Sequence, residues 1–246
     1  MSELSNEPMA PESGSAMSMV ETWTAAVTRP NEGTYSQIAA QPGATTSKAF
    51  LWVFVASILT SLTSLIAQAV SFGGQSMFRQ LLPPEIAREL PIGSSPAIGF
   101  GVVICGAPVG AILAVIGFAI ATGLIQWVAK LFGGTGSFEK LAYTFSAISV
   151  PFSVVTAVLT IIGIIPIIGI LTGLISFALS IYVIVLEVLA VKAVHGLDTG
   201  KAAGSVLLPA LVFFIFICCC VIVGVALMGP VIGDVFDSIN QSLSGF

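Results

Sequence analysis

Charge is scarce in this chain. Asp, Glu, Lys and Arg make up 8% of its 246 residues, while 56% are hydrophobic. A soluble globular chain carries about 25% charged residues. So little charge cannot cover a water-facing surface, which excludes a soluble fold. Lipid can solvate such a chain. Histidine is also nearly absent, with one residue, and cysteine is limited to four. Cys105 stands alone, and Cys218, Cys219 and Cys220 are consecutive in an apolar run. Successive helical residues point about 100° apart, so three adjacent thiols cannot converge on one metal. No CxxC spacing exists, so neither a zinc ribbon nor a redox pair is implied. The thiols read as apolar filler of a span.

Other signatures are missing too. There is no basic patch for nucleic acid, and no nucleophile elbow, zincin motif or pair of intramembrane aspartates. Gly133-Gly134-Thr135-Gly136 lacks the Lys-Ser/Thr ending and the preceding strand of a phosphate loop. The chain is therefore expected to be no enzyme, to hold no cofactor or metal, and to bind no nucleic acid.

What the chain has is long apolar runs. Residues 1–17, rich in Ser, Pro and Glu, read as a disordered tail. Ser18 and Glu21 form a capping box that opens a short helix with Met19, Val20, Trp23 and Val27 on one face, ended by Pro30. Thr34 and Gln37 suggest a second short helix, closed by Pro42. These amphipathic helices, residues 18–48, suit either the membrane surface or packing under a bundle. No cleavable leader is visible, so the first apolar run reads as an uncleaved anchor.

Five spans follow, in a transmembrane domain of residues 49–228. The first is Ala49–Phe72, and Pro84 opens a short helix in the connection after it. The apolar run Ala97–Phe132 would reach about 50 Å at 1.5 Å per residue, against a hydrocarbon core of about 30 Å. Gly99, Gly101, Gly106 and Pro108 weaken its first third. The second span is therefore set at Pro108–Leu131, with an interfacial or kinked lead-in. The third is Phe138–Ile165, N-capped by Ser137 and containing Pro151. The fourth is Ile167–Val194, and the fifth is Ser205–Met228, stopped by Gly229-Pro230 before a short tail of residues 229–246. His195 stands at a helix end beside a glycine, where an imidazole can bond the last carbonyls. The fold class is thus all-α, a polytopic transmembrane bundle.

Arg29, Lys48, Lys130, Lys140, Lys192 and Lys201 all fall on the N-terminal side of a five-span chain. The positive-inside rule makes that side cytoplasmic and the C-terminus extracytoplasmic, in the cell membrane.

Two spans carry stripes of small and hydroxyl residues. The third has Ser146, Ser149, Ser153, Thr156, Thr160 and Gly163; the fourth has Gly169, Gly173, Ser176, Ser180 and Glu187. Alternating steps of three and four place each set on one helix face. Small residues let helices approach closely in lipid. The third and fourth spans are therefore expected to form a tight antiparallel hairpin. It would set Gly163 near Gly169, Thr156 near Ser176, Ser153 near Ser180 and Ser146 near Glu187. Glu187 is the one acidic residue well inside a span. It reads either as a structural carboxylate bonded to Ser146 or Tyr143 and helped by Lys192, or as a proton, cation or partner site.

Three stretches resemble the Yip family, the Ypt/Rab-interacting domain proteins, in its bacterial form. One is Glu21-Thr22-Trp23 through Arg29-Pro30 and Ile38. Another runs from Phe132-Gly133-Gly134-Thr135-Gly136-Ser137-Phe138 into Tyr143-Thr144-Phe145-Ser146 and Val150-Pro151. The last is Glu187 and Lys192, then Lys201-Ala202 and a final span. The resemblance covers roughly residues 20–228. It implies five spans, a cytoplasmic N-terminus and a non-enzymatic role. Eukaryotic members resemble adaptors for prenylated small GTPases. This chain lacks the Asp-Leu-x-Gly-Pro motif, so small-GTPase binding is not carried over. The expected partners are the lipid bilayer, a second copy of the chain or other membrane proteins. The expected function is a scaffold or adaptor, and the alternative is a small transporter or channel subunit using Glu187.

Overall fold

In the computed structural model the described residues are 17–81 and 96–244, and they form seven α-helices and no strand. Two short helices come first. α1 (Met19–Thr28) is opened by the expected capping box: the Ser18 hydroxyl accepts from the Glu21 N–H, and the Ser18 N–H donates back to the Glu21 carboxylate. α2 (Glu32–Ala39) is capped by Asn31, whose side chain accepts from the Thr34 N–H. Five long helices follow: α3 (Thr46–Leu81), α4 (Pro96–Leu131), α5 (Phe138–Ile162), α6 (Pro166–His195) and α7 (Thr199–Ser244). Each contains a stretch long and apolar enough to cross a bilayer.

Several helix ends differ from the sequence expectation. α3 runs past Phe72 to Leu81. α4 is one continuous helix from Pro96, through Gly99, Gly101, Gly106 and Pro108, so the lead-in is helical. α7 continues through Gly229-Pro230 to Ser244, so the chain is helical where a stop and a short tail were expected. Inside the bilayer a freed backbone group finds no solvent partner, so α4 is kept helical through Gly106 and Pro108. At 1.5 Å per residue α7 is about 69 Å long, so its polar end stands beyond a hydrocarbon core of about 30 Å. There glycine and proline, and at the end of α3 glycine, weaken the helix without ending it. The short helix expected at Pro84 and the tail of residues 1–16 lie outside the described residues.

The α5–α6 turn is short and apolar, with Pro166 at the first position of α6. α6 ends at Gly196, whose φ of 65° is the left-handed conformation that glycine adopts freely.

Packing is uneven along the bundle. α3, α5 and α7 begin, and α4 and α6 end, at the end of the bundle that also carries α1 and α2. At this near end lies one continuous core, built from Ala26, Tyr35, Ile38, Trp52, Leu141, Tyr143, Phe145, Ile148, Leu186, Ala190 and Val191, among others. Away from it the helices present apolar side chains outward: Ile167, Leu171, Leu174 and Phe177 of α6, and Leu211 through Ile217 of α7. α5 is central, with 39% of an apolar 18-residue stretch buried, whereas α7 is peripheral, with 6% of the corresponding stretch.

Candidate functional site

The near end holds most of the specific polar chemistry. α1 and α2 do not offer their aromatics to lipid. Trp23 packs edge-on against Trp52 of α3 at 5.3 Å, and Trp52 lies 5.0 Å from the ring of Tyr143 on α5. Tyr35 is fully buried and donates its hydroxyl to the Ala26 carbonyl at 2.7 Å. Burial holds the Tyr35 phenol above its ordinary range, so it stays protonated. Of the two placements open to these helices, the structure therefore shows packing against the bundle.

Three contacts tie the pair to the spans. The Tyr143 hydroxyl donates to Gln41 Oε1 at 3.4 Å, and Gln41 Nε2 donates to Thr22 Oγ1 at 3.2 Å. The Tyr182 hydroxyl of α6 donates to the Val27 carbonyl at 2.9 Å. Lys192 near the end of α6 pairs with Glu32 of α2 at 3.1 Å. Thr46, at the start of α3, donates its N–H to the Glu139 carboxylate on α5 at 3.3 Å.

A second cluster surrounds the α4–α5 loop. Gln126 of α4 donates to the Gly136 carbonyl at 2.8 Å, and the Thr135 N–H donates to the His195 carbonyl at 3.3 Å. Gly134 and Gly136 are required here by close approach. A Cβ on Gly134 would lie 2.6 Å from His195 Nδ1, and one on Gly136 would lie 2.5 Å from the Val194 carbonyl oxygen. The loop is thus a steric seat for the end of α6 and not a phosphate cradle. His195 does not bond the last carbonyls of its helix. It is 2% exposed, and neither ring nitrogen has a hydrogen-bond partner among the described residues. The ring is pressed onto the glycine backbone instead. Asp198, in the exposed loop after it, accepts from the Lys201 and Gly200 N–H groups. These bonds hold its carboxyl below the usual carboxylate range.

The stripes are only partly brought together. Gly163 and Gly169 meet at the α5–α6 turn: a Cβ on Gly169 would stand 2.8 Å from the Gly163 carbonyl oxygen. Thr172, which the sequence reading omitted, sits 2.7 Å from a Cβ on Gly163. Beyond that turn the hydroxyls serve their own helices. Ser146 donates to Tyr143, Ser149 to Phe145, Ser153 to Ser149, Thr160 to Thr156, Ser176 to Thr172 and Ser180 to Phe177, all at backbone carbonyls. No hydrogen bond among the described residues joins Thr156 to Ser176, Ser153 to Ser180, or Ser146 to Glu187. Ser146 is buried, Ser149 and Ser153 are half-buried, and Thr156, Gly173 and Ser180 are exposed.

Glu187 is half-buried and makes no hydrogen bond or ion pair with a described residue. Its expected partners are engaged elsewhere. Ser146 and Tyr143 bond as described above, and Lys192 reaches outward to Glu32 because α2 docks at the end of α6. The residues that sequence reasoning missed are Thr22, Gln41, Tyr182, Glu32 and Gln126. Two carried a signal: Gln126 and Tyr182 are isolated polar groups in otherwise apolar helices.

Fold and site together define an integral, multi-pass membrane protein built from five long apolar helices, with a short helical pair docked at one end. The Yip1 domain family matches residues 24–221, which is most of the chain and reaches from the second half of α1 into the fifth span. The protein belongs to the Yip1 domain family. No curated protein and no solved structure matches the chain.

Proposed function

We propose that this protein is a non-enzymatic membrane scaffold or adaptor of the cell membrane, with its N-terminus cytoplasmic. It works through helix–helix contacts inside the bilayer and through its α1–α2 pair at the surface. One observation carries the reading: part of the α6 small-residue stripe is left open. Gly173 is exposed with nothing within 4 Å of a Cβ built on it, and Ser180 is exposed one further stretch along the helix. Close helix contact in lipid uses this kind of surface, because backbones approach where side chains are small. The hydroxyls along α5 and α6 support the same reading. Ser146, Ser149, Ser153, Thr160, Ser176 and Ser180 each spend their hydroxyl on their own helix backbone, which favours contact surfaces over a lining that hands ions along.

Cysteine crosslinking in native membranes tests this. Cys105 and Cys218–Cys220 are first replaced by alanine, and Gly173→Cys or Ser180→Cys is then introduced. Crosslinked dimer or a crosslinked membrane partner is expected at these positions, and not at Val212→Cys on the outer face of α7. Monomer alone at every position, with no co-purifying protein, refutes the scaffold.

A further inference from the structure

The burial of α6 changes abruptly along its length. Most residues from Ile167 to Val185 are exposed, whereas none from Leu186 to His195 is. α5, the start of α7 and the α4–α5 loop cover part of this end, and α2 covers the rest, with the α1–α2 pair fixed by Tyr182 to the Val27 carbonyl and by Lys192 to Glu32. Tyr182 lies more than three turns before the end of α6, about 20 Å along the axis at 1.5 Å per residue. The end of α1 is therefore held that far down the side of the bundle. The residues that follow Val27 are polar and exposed: Thr28, Arg29, Asn31 and Glu32. Such a segment cannot sit among acyl chains, where unsatisfied backbone and charge are costly. Arg29 makes no ion pair with a described residue, so its charge is free to meet an anion.

We infer that α1 and α2 form a wedge that brings phospholipid headgroups down to the level of Tyr182 on this side of the bundle, with Arg29 meeting the lipid phosphate. The acyl chains then touch α6 only from Tyr182 toward the α5–α6 turn. Its last three turns, with Glu187 and Lys192, stand outside the hydrocarbon under a protein cover.

A further observation agrees. The stretch from Gly163 to Gly169 has no polar side chain. A turn of that composition can end inside the far acyl region, as a span starting at Tyr182 requires. This inference needs the chain to span a bilayer and does not depend on the scaffold role.

The full chain, with Cys105 and Cys218–Cys220 changed to alanine, is reconstituted in vesicles containing phosphatidylglycerol. A nitroxide is attached at Thr28→Cys, Ile181→Cys or Leu174→Cys, and its depth is read from accessibility to oxygen against a water-soluble nickel chelate. Leu174 is expected deep in the acyl region, Ile181 at its boundary and Thr28 at the phosphate level. Equal depth for Ile181 and Leu174, or a Thr28 label in bulk water or in the acyl region, overturns the inference. A second measurement uses the unaltered sequence. Phenylglyoxal modification of Arg29, followed by peptide mass, is expected to run several-fold slower in phosphatidylglycerol than in phosphatidylcholine. No modification in either lipid, or equal rates in both, overturns it equally.

Discussion

Gly136→Ala is a sharp test of how the near end is built. The added Cβ would stand 2.5 Å from the Val194 carbonyl oxygen, 2.7 Å from Val194 Cγ1 and 3.0 Å from the Val194 carbonyl carbon. Two of these atoms are backbone, in the last turn of α6, so no side-chain rotation relieves the contact. That turn is itself fastened by the Gly196 N–H on the Lys192 carbonyl at 2.9 Å. The α4–α5 loop must therefore back away from α6. In doing so it strains the Gln126 bond to Gly136 and the Thr135 bond to His195. Overpacking costs about 1–3 kcal/mol, and each weakened hydrogen bond adds about 1 kcal/mol. A total of about 3–5 kcal/mol, at about 2–4 °C per kcal/mol for a chain of this size, lowers Tm by roughly 6–20 °C. Circular dichroism of the detergent-solubilised protein reads this directly. Gly173→Ala is the matched comparison: open space surrounds the position and alanine favours the helix by about 1 kcal/mol. It should leave Tm unchanged or raise it by a few degrees. If the two variants melt together, the loop is not seated on α6 as described.

Two further outcomes are expected. Glu32→Gln removes the partner of Lys192 in a pair whose side chains are 28% and 54% exposed, so the loss is at most about 1 kcal/mol. It should shrink at high salt, and Glu32→Lys combined with Lys192→Glu should restore most of it; a double swap no better than the single change refutes the pairing. The second outcome concerns alkaline pH. Buried Tyr35 keeps its proton above the ordinary range, whereas an unfolded tyrosine ionises near 10. The folded state then binds the extra proton, so stability is full below about pH 10 and falls as pH rises beyond it. Tyr35→Phe should flatten that alkaline decline in chemical unfolding, at the cost of the bond to Ala26; an identical decline in both proteins counts against the assignment.

The five spans and several caps were legible because they rest on local rules. The Ser18–Glu21 box, the Ser137 cap and the glycine after His195 each appear where the sequence places them. The stops at Phe72 and at Gly229-Pro230 were misread because glycine and proline lower helix propensity without fixing where a helix ends. The stripes taught a similar lesson. Spacing of three and four shows that Ser146, Ser149 and Ser153 share a face, but it cannot show what the face touches. A serine in a helix can bond the carbonyl one turn back, and these do. The placement of α1 and α2 was open because Trp23 and Tyr35 suit lipid and protein equally. What decides it is Tyr182, a residue 155 positions from its partner Val27. No local pattern connects the two.

The uneven packing gives the N-terminal pair a structural role. Where the far halves of the helices contact lipid, apolar burial supplies no drive between them, since acyl chains solvate leucine as well as a neighbouring helix does. Cohesion must then come from the end where side chains interlock, and there α1 and α2 contribute buried Thr22, Ala26, Tyr35 and Ile38 to the shared core. α7 shows the other extreme. Ala202, Ser205 and Val206 are buried at its start, and the exposed run begins at Leu207. A helix anchored by its first turns and otherwise bathed in lipid contributes little to the cohesion of the bundle. α5, buried at the centre, packs against α3, α4 and α6, whereas α7 is held by α4 and α6.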